Sequence, residues 1–211
     1  PRTDDYDNAT TDPNGGRHRR RRAQGRREAT QRTNPHDTDT DNDRLTDGRE
    51  VNTTRTKPLV RDTDGDTLTD GQEVLGMNIT QVVRLGRNKA RRIGVVRTDP
   101  RRRDTDADGI HDGLEVRGYT IKQKVIVSKK GAIKTYTIGK VRSDPRKKDT
   151  DADGVRDNDE RTGARNKRFK KAKSSPVNYD TDRGGNTDGR EIKARSNPSN
   201  VRSSPGRPLG R

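Results

Sequence analysis

The chain has 211 residues, of which 21% are hydrophobic and 2% aromatic, and its 49 Lys and Arg against 33 Asp and Glu give a formal net charge of +16. So little apolar side chain excludes a conventional core, because burial cannot offset an ordering cost of roughly 1–2 kcal/mol per residue. Cysteine is absent, which excludes disulfides and thiolate zinc sites as staples, and three scattered histidines make no metal cluster, so only oxygen ligands remain.

The first segment, residues 1–32, is an Arg-rich arm. Its stretch 13–34 has the frame of the repeats described below, with Glu28 at the last acidic place, but Arg17, Arg19 and Arg21 stand where acids belong. It reads as a degenerate repeat without metal. Two uses stay open for it: a basic patch for nucleic acid, an anionic surface polymer or an acidic neighbour, and a solvated flexible arm. No run of about 20 apolar residues is present to span a bilayer. The chain begins at Pro1 without a charged-then-apolar leader, as expected of a processed, soluble product.

From residue 33 to 198 the sequence repeats. Prolines at 13, 35, 58, 100, 145, 176 and 198 are each preceded at minus two by Ser or Thr: Thr11, Thr33, Thr56, Thr98, Ser143, Ser174 and Ser196. Four residues after five of these prolines an acidic block begins, and the unit is [S/T]-x-P-x3-D-x-D-x-D-x3-D-x2-E. The first loop, 39–50, offers Asp39, Asp41, Asp43, Asp47 and Glu50; the second, 62–73, offers Asp62, Asp64, Asp66, Asp70 and Glu73. The third, 104–115, has Asp104, Asp106, Asp108, Asp112 and Glu115, and the fourth, 149–160, has Asp149, Asp151, Asp153, Asp157 and Glu160. The fifth, 180–191, keeps Asp180, Asp182, Asp188 and Glu191, with Gly184 in place of the third acid. These positions take 24 of the 33 acidic residues.

A cation of calcium's size takes six to eight oxygens at about 2.3–2.6 Å, and alternate carboxylates at loop positions one, three and five curl the chain around it. The backbone carbonyl at position seven adds an oxygen (Leu45, Leu68, Ile110, Val155 and Asn186), position nine acts directly or through water, and the Glu at twelve clamps. Magnesium's tight octahedron suits such a loop less well. Glycine is expected at the sharp turn of position six, where Gly109, Gly154 and Gly185 stand but Arg44 and Thr67 do not, so the first two loops are expected to bind more weakly. Without a cation, carboxylates about 4 Å apart would repel by roughly 4 kcal/mol per pair at an effective dielectric of 20.

Two inserts interrupt the repeats, about 77–96 and 119–141. Both are rich in Ile, Val, Thr and Tyr around turns at 86–88 and 128–131, and both read as β-hairpins. Each hairpin is expected either to cover its neighbouring repeat or to meet another subunit through an exposed edge. A shorter, strongly basic insert at 165–173 receives no assignment, and 199–211 is a basic tail.

With these residues in view, D-T-D-A-D-G-I-H-D-G-L-E at 104–115 and D-T-D-G-D-T-L-T-D-G-Q-E at 62–73 resemble thrombospondin type 3 calcium repeats. The run from Asp104 through E-V-R-G-Y-T-I at 115–121, with K-S-S-P at 173–176, more closely resembles the calcium-binding domain of protective-antigen-type binary toxin translocation components. That resemblance implies two calcium ions per acidic loop, the second completed by carbonyls around a Ser-Pro turn and a downstream Asp. For the third loop it implies Asp106, Asp108, Glu115, the carbonyls of Asp144 and Lys147, and Asp149. For the fourth it implies Asp151, Asp153, Glu160, the carbonyls of Ser175 and Asn178, and Asp180.

The expected fold is an elongated, calcium-stapled repeat array, mostly irregular and small β, with two inserted hairpins, little helix and a minimal hydrophobic core. Two functions stay open: a structural subunit of a calcium-stabilised extracellular filament or surface assembly, and a calcium-dependent spacer of a larger secreted toxin or adhesin. The first implies a homo-oligomer or polymer, with the Arg-rich arm against a neighbour's acidic loops. Nucleic-acid binding is not favoured, since aromatic stacking residues and recognised motifs are lacking. No nucleophile–base set or apolar pocket can be read, so no enzyme is expected. Calcium's scarcity in cytosol places the chain outside cells or on their surface, and Asn8, Asn52 and Asn78 lie in glycan sequons.

Overall fold

The computed structural model describes residues 33–129 and 131–207, so the arm 1–32 and the last residues of the basic tail lie outside the described residues. The chain divides into two compact units, Pro1–Arg61 and Asp62–Arg211. The division falls after the first loop, within the expected array of five. Irregular loops, short helical turns and two two-stranded sheets make up the described residues, and the expected mixture of small β and irregular structure is what forms.

In the first unit, the acidic loop runs into a one-turn helix α1 (Asp47–Arg49) and a π-helical turn (Glu50–Thr54). In the second unit, each acidic loop likewise ends in a helix that starts at position nine: α2 (Asp70–Leu75), α3 (Asp112–Arg117), α4 (Asp157–Thr162) and α5 (Asp188–Lys193). Position eight is the N-cap. Thr69 Oγ1 accepts from the Gln72 amide at 3.1 Å while the Gln72 side chain accepts from the Thr69 amide at 3.1 Å, which closes a capping box. Thr46 and Thr187 cap their helices with the same type of bond.

Helices α2 and α3 stop at Gly76 (φ 98°) and Gly118 (φ 87°), and the hairpins leave directly from these residues. The first hairpin pairs β1 (Met77–Gly86) with β2 (Lys89–Val96), and the second pairs β3 (Tyr119–Lys129) with β4 (Ala132–Val141). A Cβ on Gly118 would lie 2.7 Å from the Val141 carbonyl oxygen, so the start and end of the second hairpin close only around a glycine. Each hairpin has a bulge at the same place, between Ile79 and Val82 in β1 and between Ile121 and Lys124 in β3. The inner faces supply most of a small core of Ile79, Val83, Ile93, Val96, Tyr119, Ile121 and Val141, joined by Ile110 and Val177.

The far edge of each hairpin is used inside its own unit. The Arg84 amide donates to Val177 O at 2.9 Å and Arg84 O accepts from the Tyr179 amide at 3.1 Å, while Ile126 makes the same pair with Ser199 and Val201 at 2.9 and 3.0 Å. Both contacts lie on the proline turn two turns beyond the one that follows the hairpin. The bulge glutamines reach one turn less far: Gln81 Oε1 accepts from the Arg142 amide at 3.4 Å and Gln123 Oε1 from the Lys173 amide at 3.0 Å. At these edges the hairpins are splints across successive repeats of their own chain.

Candidate metal centre

Every acidic loop is shaped by its own carboxylates before any ion is considered. At position one, Asp104 accepts from the Ala107 amide at 2.7 Å and the Gly109 amide at 2.8 Å; Asp62, Asp149 and Asp180 bind the equivalent amides of positions four to six, and Asp39 does so with Arg44 at 2.9 Å. Position three takes the amide of position five, as in Asp64, Asp106, Asp151 and Asp182, and Asp41 accepts from Asp43 at 3.1 Å. Position five takes the amide of position seven: Asp43 from Leu45, Asp66 from Leu68, Asp108 from Ile110 and Asp153 from Val155, at 2.6–2.8 Å. The position-seven side chains Leu45, Leu68, Ile110 and Val155 are buried, and Asn186 is half-buried. Position six is left-handed in all five loops, including Arg44 (φ 81°) and Thr67 (φ 90°), where a side chain is strained.

The Glu at position twelve is oriented from behind. Its Oε1 accepts from the hydroxyl two residues before the next proline: Glu73 from Thr98 at 2.9 Å, Glu115 from Ser143 at 2.8 Å, Glu160 from Ser174 at 2.9 Å, and Glu50 from Thr56 at 3.2 Å. Glu191 is in the same relation to Ser196 at 3.5 Å. Among the described residues of the second unit this leaves eight buried carboxylate oxygens without a hydrogen-bond donor: one each on Asp64, Asp106, Asp151 and Asp182 at position three, and on Glu73, Glu115, Glu160 and Glu191 at position twelve. Burial pushes Glu73 up to about 9, Glu115 up to about 10 and Glu191 up to about 9, and Asp106 and Asp182 up to about 7. Asp151 and Glu160 are raised well above the carboxylate range for the same reason, with neighbouring acids adding to it. Buried oxygens with no donor are costly unless a cation meets them. An all-oxygen set of this kind fits a hard divalent ion.

Position nine has a hydrogen-bonding role that its spacing does not announce. Both oxygens of each position-nine Asp are held by the threonine at position two of the same loop: Asp112 accepts from the Thr105 amide at 2.9 Å and its hydroxyl at 2.6 Å. Asp47, Asp70, Asp157 and Asp188 repeat this with Thr40, Thr63, Thr150 and Thr181. Each of these five acids is therefore engaged in its own loop as a lock. In the second unit, three of them also face the loop before their own. Asp112 comes within 4.8 Å of Asp66 and Glu73, counting one oxygen from each. Asp157 raises Glu115 and Asp188 raises Glu160 by charge proximity.

The toxin resemblance implies Asp149 and Asp180 as closing acids, and the geometry offers a second pair. Asp149 and Asp180 are bonded to amides of their own loops, and it is Asp157 and Asp188 that stand beside the preceding Glu. The cause is the stacking of each helix start on the loop before it. The amide of Gly113 donates to Asp66 at 2.6 Å, that of Asn158 to Asp108 at 3.2 Å, and that of Gly189 to Asp153 at 2.8 Å. A Cβ on Gly113 would sit 2.3 Å from Asp66 O, so the approach is as close as backbone permits.

The turn residues implied as carbonyl ligands are tied to the following loop. The Asp144 amide donates to Thr150 Oγ1 and the Ser175 amide to Thr181 Oγ1, both at 2.9 Å, while the carbonyls of Asp144 and Ser175 accept from Lys147 and Asn178 at 2.8 and 3.0 Å. The buried Asp144 carboxylate is bound by Arg146 at 2.9 Å. The position-two threonine is thus the joint of the repeat, linking turn, loop and lock. Sequence reasoning missed it, although Thr follows the first Asp in all five loops.

Comparison with curated proteins and with solved structures gives no match to the chain, and the resemblance to thrombospondin type 3 repeats has no counterpart among the family matches. Residues 103–179, which hold the third and fourth loops and the turns at Pro145 and Pro176, match the family model of the clostridial binary toxin B/anthrax toxin PA Ca-binding domain, so that over this stretch the chain is similar to a calcium-binding domain of toxin components.

Proposed function

We propose that the chain is a calcium-dependent structural module of a secreted or surface protein, with two ions in each of the second, third and fourth loops and one in the fifth. The carrying observation is the set of eight buried, donorless oxygens at positions three and twelve. In the third loop, Asp104, Asp106, Asp108, Glu115 and the Ile110 carbonyl would hold the first ion. Asp106, Asp108 and Glu115, with Asp157 from the next repeat and the carbonyls of Asp144 and Lys147, would hold the second. The fifth loop has Gly184 in place of the acid that would bridge, which leaves Asp180, Asp182, Glu191 and the Asn186 carbonyl for one ion. The first loop has a complete single set in Asp39, Asp41, Asp43, Glu50 and the Leu45 carbonyl. Calcium supplies the positive charge that these carboxylates lack, and the ion shared between repeats fixes one repeat to the next.

Backbone pairing of the hairpin edges at Arg84 and Ile126 with turns of the same chain supports the spacer reading over a polymer joined at those edges. Chelator should open the second unit to hydrogen exchange and protease, and unchanged protection would refute the proposal. Sedimentation of the calcium-loaded chain separates the two uses: a monomer supports the spacer and a polymer the filament.

A further inference from the structure

We propose that the basic insert between the fourth and fifth loops is a binding site for an acidic polysaccharide, engaged by the calcium-loaded chain. Residues 161–173 contain Arg161, Arg165, Lys167, Arg168, Lys170, Lys171 and Lys173 and no acid. Such a run could be a solvated, flexible loop, but this one is built. It closes at Gly163 (φ 69°), where a Cβ would lie 2.0 Å from Lys171 O. The buried Asn166 holds it from inside: its side chain donates to Ala172 O at 3.2 Å, and its carbonyl accepts from the amides of Phe169 and Lys171, both at 3.1 Å. The cations are then presented outward on a fixed frame, so little conformational entropy is lost when a ligand arrives.

Residue choice in the frame points the same way. Lys170 (φ 53°) and Lys171 (φ 57°) are consecutive left-handed residues, where glycine or asparagine would be unstrained, and Arg195 (φ 59°), after α5, is a third. Left-handed arginines also stand at Arg44, Arg55 and Arg183, but among the described residues only in the insert are two such cations consecutive. Arg165, Lys167, Arg168 and Arg195 line one cavity of about 480 Å³ together with Ile192. Among the described residues no ion pair reaches Lys167, Arg168, Lys170 or Lys171. The nearest acid in sequence outside the ligand sets is the half-buried Asp159 on α4, and the remaining nearby acids sit in the calcium loops, where bound metal would neutralise them. Each ion adds two charges, so the eight ions of the proposed function, two in each of the second, third and fourth loops and one in each of the first and fifth, would raise the net charge from +16 to about +32. The inference rests on the calcium reading in this respect.

The polymer class follows from what the surface lacks. A single aromatic residue, Phe169, lies in the insert, half-buried with Arg168 over its ring at 5.8 Å, so no platform for stacking bases is offered. No helix among the described residues exceeds six residues, too short to read a major groove. A sulfated or uronic-acid chain asks only for spaced cations.

The test uses the full chain, saturated with calcium, and dextran sulfate as probe, with neutral dextran and a 20-base-pair DNA duplex beside it. The comparison is a variant carrying Lys167→Gln, Arg168→Gln, Lys170→Asn and Lys171→Asn, the asparagines tolerating the left-handed backbone. Wild type should bind dextran sulfate and not dextran, with the logarithm of the association constant falling linearly with that of salt concentration. The variant should lose tenfold or more in affinity at 0.15 M salt, and its salt slope should flatten by about 3. Equal affinity and slope in the two proteins would overturn the site. Tighter DNA binding that is lost in the same variant would overturn the polysaccharide assignment in favour of nucleic acid. Calcium uptake by equilibrium dialysis is measured on both proteins. A wild type that takes up no calcium refutes the calcium reading, whereas normal uptake with unaltered dextran sulfate binding in the variant refutes the insert alone.

Discussion

Replacing Glu115 by Gln separates the metal-bound from the metal-free molecule. With its carboxyl pushed up to about 10 by burial, Glu115 holds a proton at neutral pH when no cation is present, and glutamine copies that neutral shape. The Ser143 hydroxyl, 2.8 Å from Glu115 Oε1, can still donate to the amide oxygen. Stability without calcium should therefore change by no more than about 0.5 kcal/mol, the range of a substitution that removes no contact. In calcium the outcome differs, because a ligand at ten times its dissociation constant stabilises by about 1.4 kcal/mol per site. If Glu115 serves both ions of the third loop, the variant loses about 3 kcal/mol, or roughly 6–12 °C in melting temperature for a unit of this size. Calorimetric melting with and without calcium, with ion counting by equilibrium dialysis, measures both quantities. A loss of one ion would refute the shared carboxylate, and an equal loss of stability in chelator would show that Glu115 acts through packing rather than through metal.

Asp157→Asn should remove one ion, and the lost hydrogen-exchange protection should lie in the third loop, 104–118; loss confined to 149–156 would return Asp157 to its own loop. The pH dependence has a definite sign. Glu73, Glu115 and Glu191, raised by burial to about 9, about 10 and about 9, bind more protons folded than unfolded, so metal-free stability should fall as pH rises from about 4.5 towards 9. Calcium displaces those protons, hence its affinity should weaken on acidification, and titration calorimetry in two buffers of different ionisation enthalpy should register proton release; no release at pH 7 would contradict the raised values. Thr67→Gly relieves a β-branched residue at φ 90°. It should stabilise the second loop by about 0.5–1 kcal/mol after the cost of glycine's freedom in the unfolded chain, read as a higher calcium affinity of that loop.

Local signals made much of the molecule readable from sequence. Alternating aspartates fixed the five loops, and Ile, Val and Thr runs around short turns fixed both hairpins, because in each case the partners are a few residues apart. The allegiance of Asp112, Asp157 and Asp188 was not readable. A position-nine acid is local to its own loop by spacing, and only the stacking of Gly113 or Gly189 on an earlier loop, 47 and 36 residues away, turns it backwards. The reach of the hairpin edges was not readable for the same reason, since Arg84 meets Val177 through backbone bonds that leave no mark on side-chain pattern. Thr105 and its equivalents were in plain view in every repeat. Their meaning needs two partners at once, a turn amide and the position-nine acid, which spacing alone does not reveal.

The reach of the hairpins has a consequence for how the chain is made. A hairpin closes in about 1–10 μs once its own residues are free. The outer edge of β1 at Arg84, however, waits for Val177, which leaves the ribosome some 90 residues later, roughly 5–18 s at ordinary elongation rates. For that interval a folded hairpin would offer an unpaired edge beside the exposed Val82, a template for any other strand nearby. On the proposed function, a chain whose loops stay open where calcium is scarce would not present that edge. Calcium met only after synthesis would let loops, hairpins and distant turns assemble together, and the metal would then also set the moment of folding.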